Sequence, residues 1–496
     1  MKKLGLNPYL PFWEFVPDGE PHLFNGRVYI YGSHDKAGAQ AFCVEDYVCW
    51  SAPAEDLGDW RYEGVIYRKE QDPINGAPYD KEIPLYDSAF STGQAHLLYA
   101  PDVAKGPDGR YYLYYSLDFT NIISVAVCDT PAGKYEFLDF VARQDGSRPD
   151  VGRWFDPAVL SEEGGNYLYY GFCPPVRFPG MEKLEIPGAM MVRLADDMHT
   201  IISEPVCVAN GCDTAKGTSY EEHPFFEASS IRHYKDWYYL VYSSLQGHEL
   251  CYGMSRTPEG PFEYRGVIHS NGDIGYQGNE LAVNYTGNNH GGLVQVGEDY
   301  FIFGHRHTHG TAFSRQGVAE KVTMLEDGTI PQTEMTSCGL NGGPLPARGR
   351  YQTYIACHLT ERDRLKVGQV VMTGPEGGML ELPREMPYIT QEPWKDGEKG
   401  VRPYICNMRS GAVCGFKYLS FDGDETGVKV LARGKGRIGF STDMPDKDVL
   451  GSVSLDSAKF KEMEISFGEN PVPAGNHAVY FRILDGSLDF AEFEII

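Results

Sequence analysis

The sequence predicts an all-β protein, a five-bladed β-propeller followed by a β-sandwich, and three observations predict it. The first is composition: 33 Tyr, 25 Phe and 6 Trp make 13% of 496 residues, and aromatic side chains favour pleated, half-buried strands. The second is an aromatic run that recurs five times, each time after a turn. The third is a set of period-two segments near the C-terminus, separated by Gly, Pro and Asp.

The recurrent runs are Asn25–Tyr31, Pro107–Tyr115, Gly164–Tyr170, Lys235–Tyr242 and Gly297–Phe303. A short strand precedes each, so each unit opens with a hairpin. A third apolar strand follows, then a turn leading to an aromatic, as in Cys128–Tyr135 and Met254–Phe262. Five such units of about four strands match five blades packed face to face around an axis. The aromatic period stops near Ile330, and the turn-rich stretch Cys338–Pro346 marks a boundary. The expected domains are residues 1–335 for the propeller and 345–496 for the sandwich, whose strands include Gly427–Ala432, Glu462–Phe467 and His477–Ile483.

Charge narrows the partners. Lys and Arg number 44 against 69 Asp and Glu, so the net charge is 44 − 69 = −25. Such a surface repels phosphate backbones and acidic membranes, and neither nucleic acid nor membrane is expected as a partner. No apolar stretch is long enough to span a bilayer. Asn7, Pro8 and Pro11 interrupt any export-signal core, and the 11 Cys contain no Cys-x-x-Cys pair. Reduced thiols in a cytoplasmic protein are the expectation.

The repeat also aligns polar residues. Counting back from the matched aromatic of each second strand, Asp18 lies 11 residues before Tyr29, Asp102 10 before Tyr112, Asp156 11 before Tyr167, Glu227 11 before Tyr238 and His290 10 before Tyr300. Rotation about the axis relates these positions, so the five side chains should converge at one end of the central channel. Gathered carboxylates repel and shift each other's pKa, which serves chemistry rather than stability. Pro17-Asp18-Gly19 and Pro101-Asp102 also read as turns; Glu227, at the start of a strand, has no such role.

These segments resemble glycoside hydrolase family 43 over residues 7–335: Asn7–Pro11 leading to Pro17–His22, then Tyr99–Val103, Phe155–Pro157, Phe226–Ser230, Gly287–Gly291 and Tyr300–Arg306. The resemblance implies an inverting, exo-acting glycoside hydrolase that removes terminal α-L-arabinofuranosyl or β-D-xylosyl residues from small plant-derived oligosaccharides. It makes Asp18 the general base, Glu227 the general acid and Asp102 the group that raises the acid's pKa; the residue after the acid is usually Gly or Ala, and Ala228 agrees. Asp156 is expected either to shape the start of the third blade or to reach the sugar. Arg315 resembles an arginine that binds sugar hydroxyls, and Trp13 and Tyr99 are expected to stack on the sugar. His290 resembles a channel histidine facing calcium, so a structural calcium is a candidate and no cofactor is required. The C-terminal region, through Pro403–Asn407 and Leu488–Phe493, resembles family 6 carbohydrate-binding modules. Two alternatives stand beside this reading: a catalytically silent carbohydrate-binding propeller, and a glycoside phosphorylase that uses the basic cluster His305–His309.

Overall fold

The computed structural model describes residues 3–39, 41–76, 95–177, 181, 183–361, 386–392, 401–469 and 471–496. Five antiparallel sheets follow one another along the chain. Blade 1 comprises Glu20–Phe24, Arg27–Tyr31, Tyr47–Pro53 and Arg61–Tyr67; blade 2 Asp102–Lys105, Tyr111–Ser116, Ile123–Cys128 and Glu136–Phe140; blade 3 Ala158–Glu162, Gly165–Tyr170, Gly188–Leu194 and Val206–Asn210. Blade 4 comprises Phe225–Tyr234, Trp237–Ser244, Glu249–Ser255 and Glu263–Ser270, and blade 5 Leu293–Val296, Asp299–His307 and Arg315–Val322.

Each aromatic run is the second strand of its blade, and burial explains its composition. Blades stack face to face, so such a strand is covered on both sides and reads as a continuous apolar run. Along Tyr111–Ser116 every residue is buried. Tyr111, Leu113 and Tyr115 join a core with Tyr29 and Tyr31 of blade 1, whereas Tyr112 and Tyr114 join one with Leu168 and Tyr170 of blade 3. The period of two thus assigns alternate rings to opposite neighbours.

Blade 5 has three strands of its own where the repeat predicts four. The N-terminal segment occupies its outer edge instead. Tyr9 N–H donates to the Gly317 carbonyl at 3.3 Å, while Asn7 Nδ2 donates to Ala319 O at 3.0 Å and Asn7 Oδ1 accepts the Ala319 N–H at 2.9 Å. Tyr9 lies so close that a Cβ on Gly317 would fall 2.4 Å from its hydroxyl oxygen. Gly19 also bridges Gly291, joining the channel ends of the first and last blades.

Among the described residues, nine C-terminal strands form one sheet. The long strands Gly427–Thr442 and Gly475–Ile495 carry bulges near Ala432 and Ile438, which bend a sheet by adding an unpaired residue to one strand. The expected β-sandwich is thus built from strands joined into one curled sheet around a large apolar core. It docks on the propeller through the His309 N–H to Ile389 O bond at 2.7 Å and Lys417 paired with Glu334 at 2.7 Å.

Asn7 is the polar hinge of ring closure, since its buried amide also donates to Glu320 Oε1 at 2.8 Å and Thr336 O at 3.0 Å. Asn7→Ala strands several buried partners, at about 2–3 kcal/mol. The expected outcome in calorimetry is a lowered melting temperature for the propeller transition, with β-sheet circular dichroism unchanged at 20 °C.

Candidate active site

The starts of the blades carry an unusual backbone. Asp18 and Asp156 sit at φ 56° and 46°, and Ala228, which follows Glu227, at φ 66°. Non-glycine residues adopt this left-handed region at a cost and concentrate at functional sites. It also accounts for a small residue at position 228, whose N–H, aimed across the channel, donates to Asp156 Oδ2 at 2.9 Å. The amide beside Glu227 thereby anchors the carboxyl of Asp156.

An upper tier forms at one end of the channel. Asp18 Oδ1 accepts from Arg315 Nη1 at 2.9 Å. Its N–H donates to His305 Nδ1 at 3.2 Å. His290 Nδ1 stands 3.7 Å from Asp156 Oδ2 and 4.0 Å from Asp18 Oδ1. Glu227 is half-buried. Desolvation first, then the charge of Asp18, push its carboxyl up to about 8, against the pull of Arg315. Burial, with Glu227 and then Asp18 as like charges, raises Asp156 well above the usual carboxylate range. Burial lowers His290 to about 4, so its imidazole is neutral at pH 7.

A lower tier lies beneath. Asp102 is fully buried; its Oδ1 meets His22 Nε2 at 2.6 Å and its Oδ2 accepts the Val159 N–H at 2.7 Å. Burial works to raise this carboxyl, but His22, Arg232 and the amide outweigh it and hold it below its ordinary value. Arg232 Nη2 donates to Glu20 Oε2 at 2.7 Å, and Ser230 Oγ donates to the same oxygen at 2.9 Å. Glu20 is raised to about 8, chiefly by burial.

The structure thus brings Asp18, Asp156, Glu227, His290 and Arg315 together. Asp102 departs from expectation: its partners are His22 and Val159, and the carboxyls acting on Glu227 and its neighbouring amide are Asp18 and Asp156. A sequence signal for this existed. The three upper acids share the offset of 11 residues, whereas Asp102 stands at 10, although His290, also at 10, joins the upper group. One residue of slip changes the face a strand side chain takes.

Aromatic rings wall the site. Tyr99 packs edge-on to Phe155 at 5.7 Å, Phe155 meets Phe172 at 5.3 Å, and Phe172 meets Phe226 at 5.2 Å, so the rings preceding Asp156 and Glu227 belong to one arc. Trp13 is elsewhere. Its ring, 45% exposed, packs at 6.0 Å on Trp50 of the third strand of blade 1, because the chain turns at Pro11–Glu14 before heading inward. The cluster His305–His309 is not an open basic patch: Arg306 is buried and directs its guanidinium to the carbonyls of Tyr354 and Ala356. Burial lowers His305, His307 and His309, leaving them neutral. Glu20, His22, Asp35 and Arg232 were given no role by the sequence; Glu20 and His22 lie within the Pro17–His22 segment, whereas nothing local marks Asp35 or Arg232.

Comparisons with known proteins point to one family. Residues 81–330 match the model of glycosyl hydrolases family 43. The chain is 47% identical over 490 residues to a xylosidase/arabinosidase of Thermoclostridium stercorarium, covering 97% of this chain and 96% of that one. It is 31% identical over 289 residues to a xylosidase/arabinosidase of Bacteroides ovatus, covering 52% of this chain and 80% of that one. A family 43 enzyme of Xanthomonas citri, solved with xylotriose, matches the fold with a TM-score of 0.50 at 21% identity, over 69% of this chain and 96% of that one.

A carboxyl raised from its ordinary value to about 8 in the folded state binds its proton more tightly folded than unfolded. Its burial therefore costs stability progressively as pH rises from about 4.5 to 8. Glu227→Gln removes that dependence, and the variant is expected to melt above the wild type at pH 8 and with it at pH 4.5 in thermal scans across this range.

Proposed function

The chain belongs to glycosyl hydrolase family 43, and from its site we propose an inverting, exo-acting pentosidase that removes terminal α-L-arabinofuranosyl or β-D-xylosyl residues from small oligosaccharides. One observation carries the proposal: Asp18, ion-paired to Arg315, stands near enough to Glu227 for its charge, with burial, to raise that carboxyl. Inversion needs that asymmetry, a carboxylate to activate water and a carboxylic acid to protonate the leaving group.

Asp18 Oδ1 is engaged by Arg315, which leaves Oδ2 for water. In the proposed step Oδ2 takes a proton from that water as its oxygen attacks the anomeric carbon. The glycosidic C–O bond breaks, and Glu227 passes its proton to the departing oxygen. One proton enters the protein and one leaves, so the next cycle requires transfer from Asp18 back to Glu227 through solvent. Asp156, anchored by the Ala228 N–H, holds the backbone beside Glu227 in place, the role first expected of Asp102, while burial and the charge of Asp18 keep Glu227 protonated. Asp102 becomes a structural member of the lower tier. The arc of Tyr99, Phe155, Phe172 and Phe226 supplies apolar faces for a sugar ring.

Pentoside specificity is supported by the name of the Thermoclostridium relative, xylosidase/arabinosidase. Hydrolysis rather than phosphorolysis is supported by the commitment of Arg306 to backbone carbonyls. The 11 free thiols support a reducing, cytoplasmic setting. A channel cation also fits the residues present: Glu20 Oε1, buried without a hydrogen-bond partner, lies 3.9 Å from His290 Nε2. The carboxylate offers the hard oxygen donor calcium prefers. When bound, the ion would fix these two side chains and add positive charge beneath the acids.

Nitrophenyl arabinofuranoside and xyloside, assayed with and without phosphate, test the reading. Turnover without phosphate, and a first-formed sugar of inverted configuration by NMR, are expected; inactivity on both, or an absolute need for phosphate, would refute it. Glu227→Ala should lose about 10²–10⁴-fold on substrates with poor leaving groups and far less on dinitrophenyl glycosides, whereas Asp18→Asn should fail on both. Activity should fall as pH rises through about 8, where Glu227 releases its proton. For the cation, calcium should raise the melting temperature of chelator-treated wild type and leave Glu20→Gln unmoved.

A further inference from the structure

Arg315 carries five N–H donors in one rigid plane, and four are committed within the protein. Nε donates to Asp35 Oδ2 at 2.8 Å and Nη2 to Asp35 Oδ1 at 3.0 Å, a bidentate fork. The second Nη2 hydrogen meets Cys43 Sγ at 3.4 Å, and Nη1 donates to Asp18 Oδ1 at 2.9 Å. A single Nη1 hydrogen is left for the pocket. The Phe42 ring covers the guanidinium at 4.7 Å and is itself backed by Phe313 at 4.8 Å.

Asp35 is as firmly held as the arginine. Besides the fork, its Oδ2 accepts the Arg315 N–H at 3.1 Å and its Oδ1 accepts the Cys43 N–H at 2.9 Å, Cys43 standing at φ 57°. Its own N–H donates to Phe15 O at 2.9 Å, on the segment that runs into Asp18. Asp35 is 1% exposed and Arg315 2%, so neither head samples water. All of these partners belong to blade 1 or the chain leading into it, apart from Arg315 itself.

We propose that Asp35 is a positioning residue that occupies the fork of Arg315 and so forces the arginine to meet the general base through one hydrogen only. The reason lies in the geometry arginine prefers. A free guanidinium binds a carboxylate through two parallel N–H···O bonds, and beside Asp18 that arrangement would cover both oxygens, including the Oδ2 that must accept a proton from water. With the fork locked on Asp35, Arg315 neutralises and orients Asp18 through Oδ1 while Oδ2 stays open. The inference rests on the reading of Asp18 as base.

A double-mutant cycle tests it, using the full-length protein, a nitrophenyl pentoside, and Asp35→Ala, Arg315→Ala and their combination, with Asp35→Asn as a second, more conservative variant. Asp35→Ala and Asp35→Asn should lose about 10²-fold in kcat, the scale of a displaced reacting group, with KM changed by less than about threefold. In the Arg315→Ala background the same change should cost little, because the residue it restrains is gone. An equal loss in both backgrounds would overturn the proposal, as would wild-type kcat in Asp35→Asn. A crystal structure of Asp35→Asn gives a reading independent of turnover: the Arg315 fork turned onto both oxygens of Asp18 is expected, and a guanidinium unmoved from its wild-type place overturns the clamp. Inactive wild type would refute the pentosidase reading alone, since the crystal structure still decides the clamp.

Discussion

A propeller exists only if its last blade is joined to its first, and in this protein the site depends on that junction. Asp18 and Arg315 are separated by 297 positions along the chain yet meet at 2.9 Å. They meet because Asn7 and Tyr9 run along the edge of the last blade, and because Gly19 bridges Gly291 at the channel. Asn7 and Tyr9, near the start of the chain, are therefore closure elements. The segment that follows them, Phe15 to Asp18, enters the channel already registered against blade 5, and the same registration sets Asp35 opposite Arg315.

The channel concentrates charge in two tiers that follow different rules. In the lower tier each group has a close partner: Asp102 has His22 and a backbone amide, and Glu20 has Arg232 and Ser230. Buried polar groups are tolerated when they are paired and hydrogen-bonded, although burial still raises Glu20 to about 8 beside Arg232, and this tier braces blades 1, 2, 3 and 4 against one another. The upper tier departs from that pattern. Arg315 serves Asp18 and Asp35, while Asp156 has one amide and Glu227 borrows only the distant field of the arginine. A carboxyl without a dedicated cation in a desolvated place holds its proton, the property a general acid requires. Sites of this kind spend stability on function.

Much of the architecture was legible because burial on both faces leaves a strong local imprint. Tyr111–Tyr115 and its four counterparts announce second strands in one dimension, since each ring must satisfy a neighbouring blade. The missing fourth strand of blade 5 left no such imprint; its edge is filled by residues from the other end of the chain. Within the site, Asp18, Glu227, His290 and Arg315 were accessible through repeat position and motif. Asp102 was not assigned His22 and the Val159 amide as partners, because both lie on other blades. Trp13 packs on Trp50 of blade 1, a contact that nearness in sequence to Asp18 does not foretell. The basic cluster at His305–His309 looked like an anion site until Arg306 was found capping carbonyls of the C-terminal sheet.

By itself the chain of residues determined the repeat, the all-β class, the strand that each aromatic run becomes, and the set of acids presented near the axis, because those properties follow from periodicity within a few tens of residues. Only the tertiary structure decided which acid stands beside Glu227, which oxygen of Asp18 stays open, and which arginine neutralises which tier. Those outcomes are set by distances between side chains of different blades. Such distances depend on the depth and rotation of each strand about the channel, and a shift of one residue or a few ångströms turns a catalytic neighbour into a structural one.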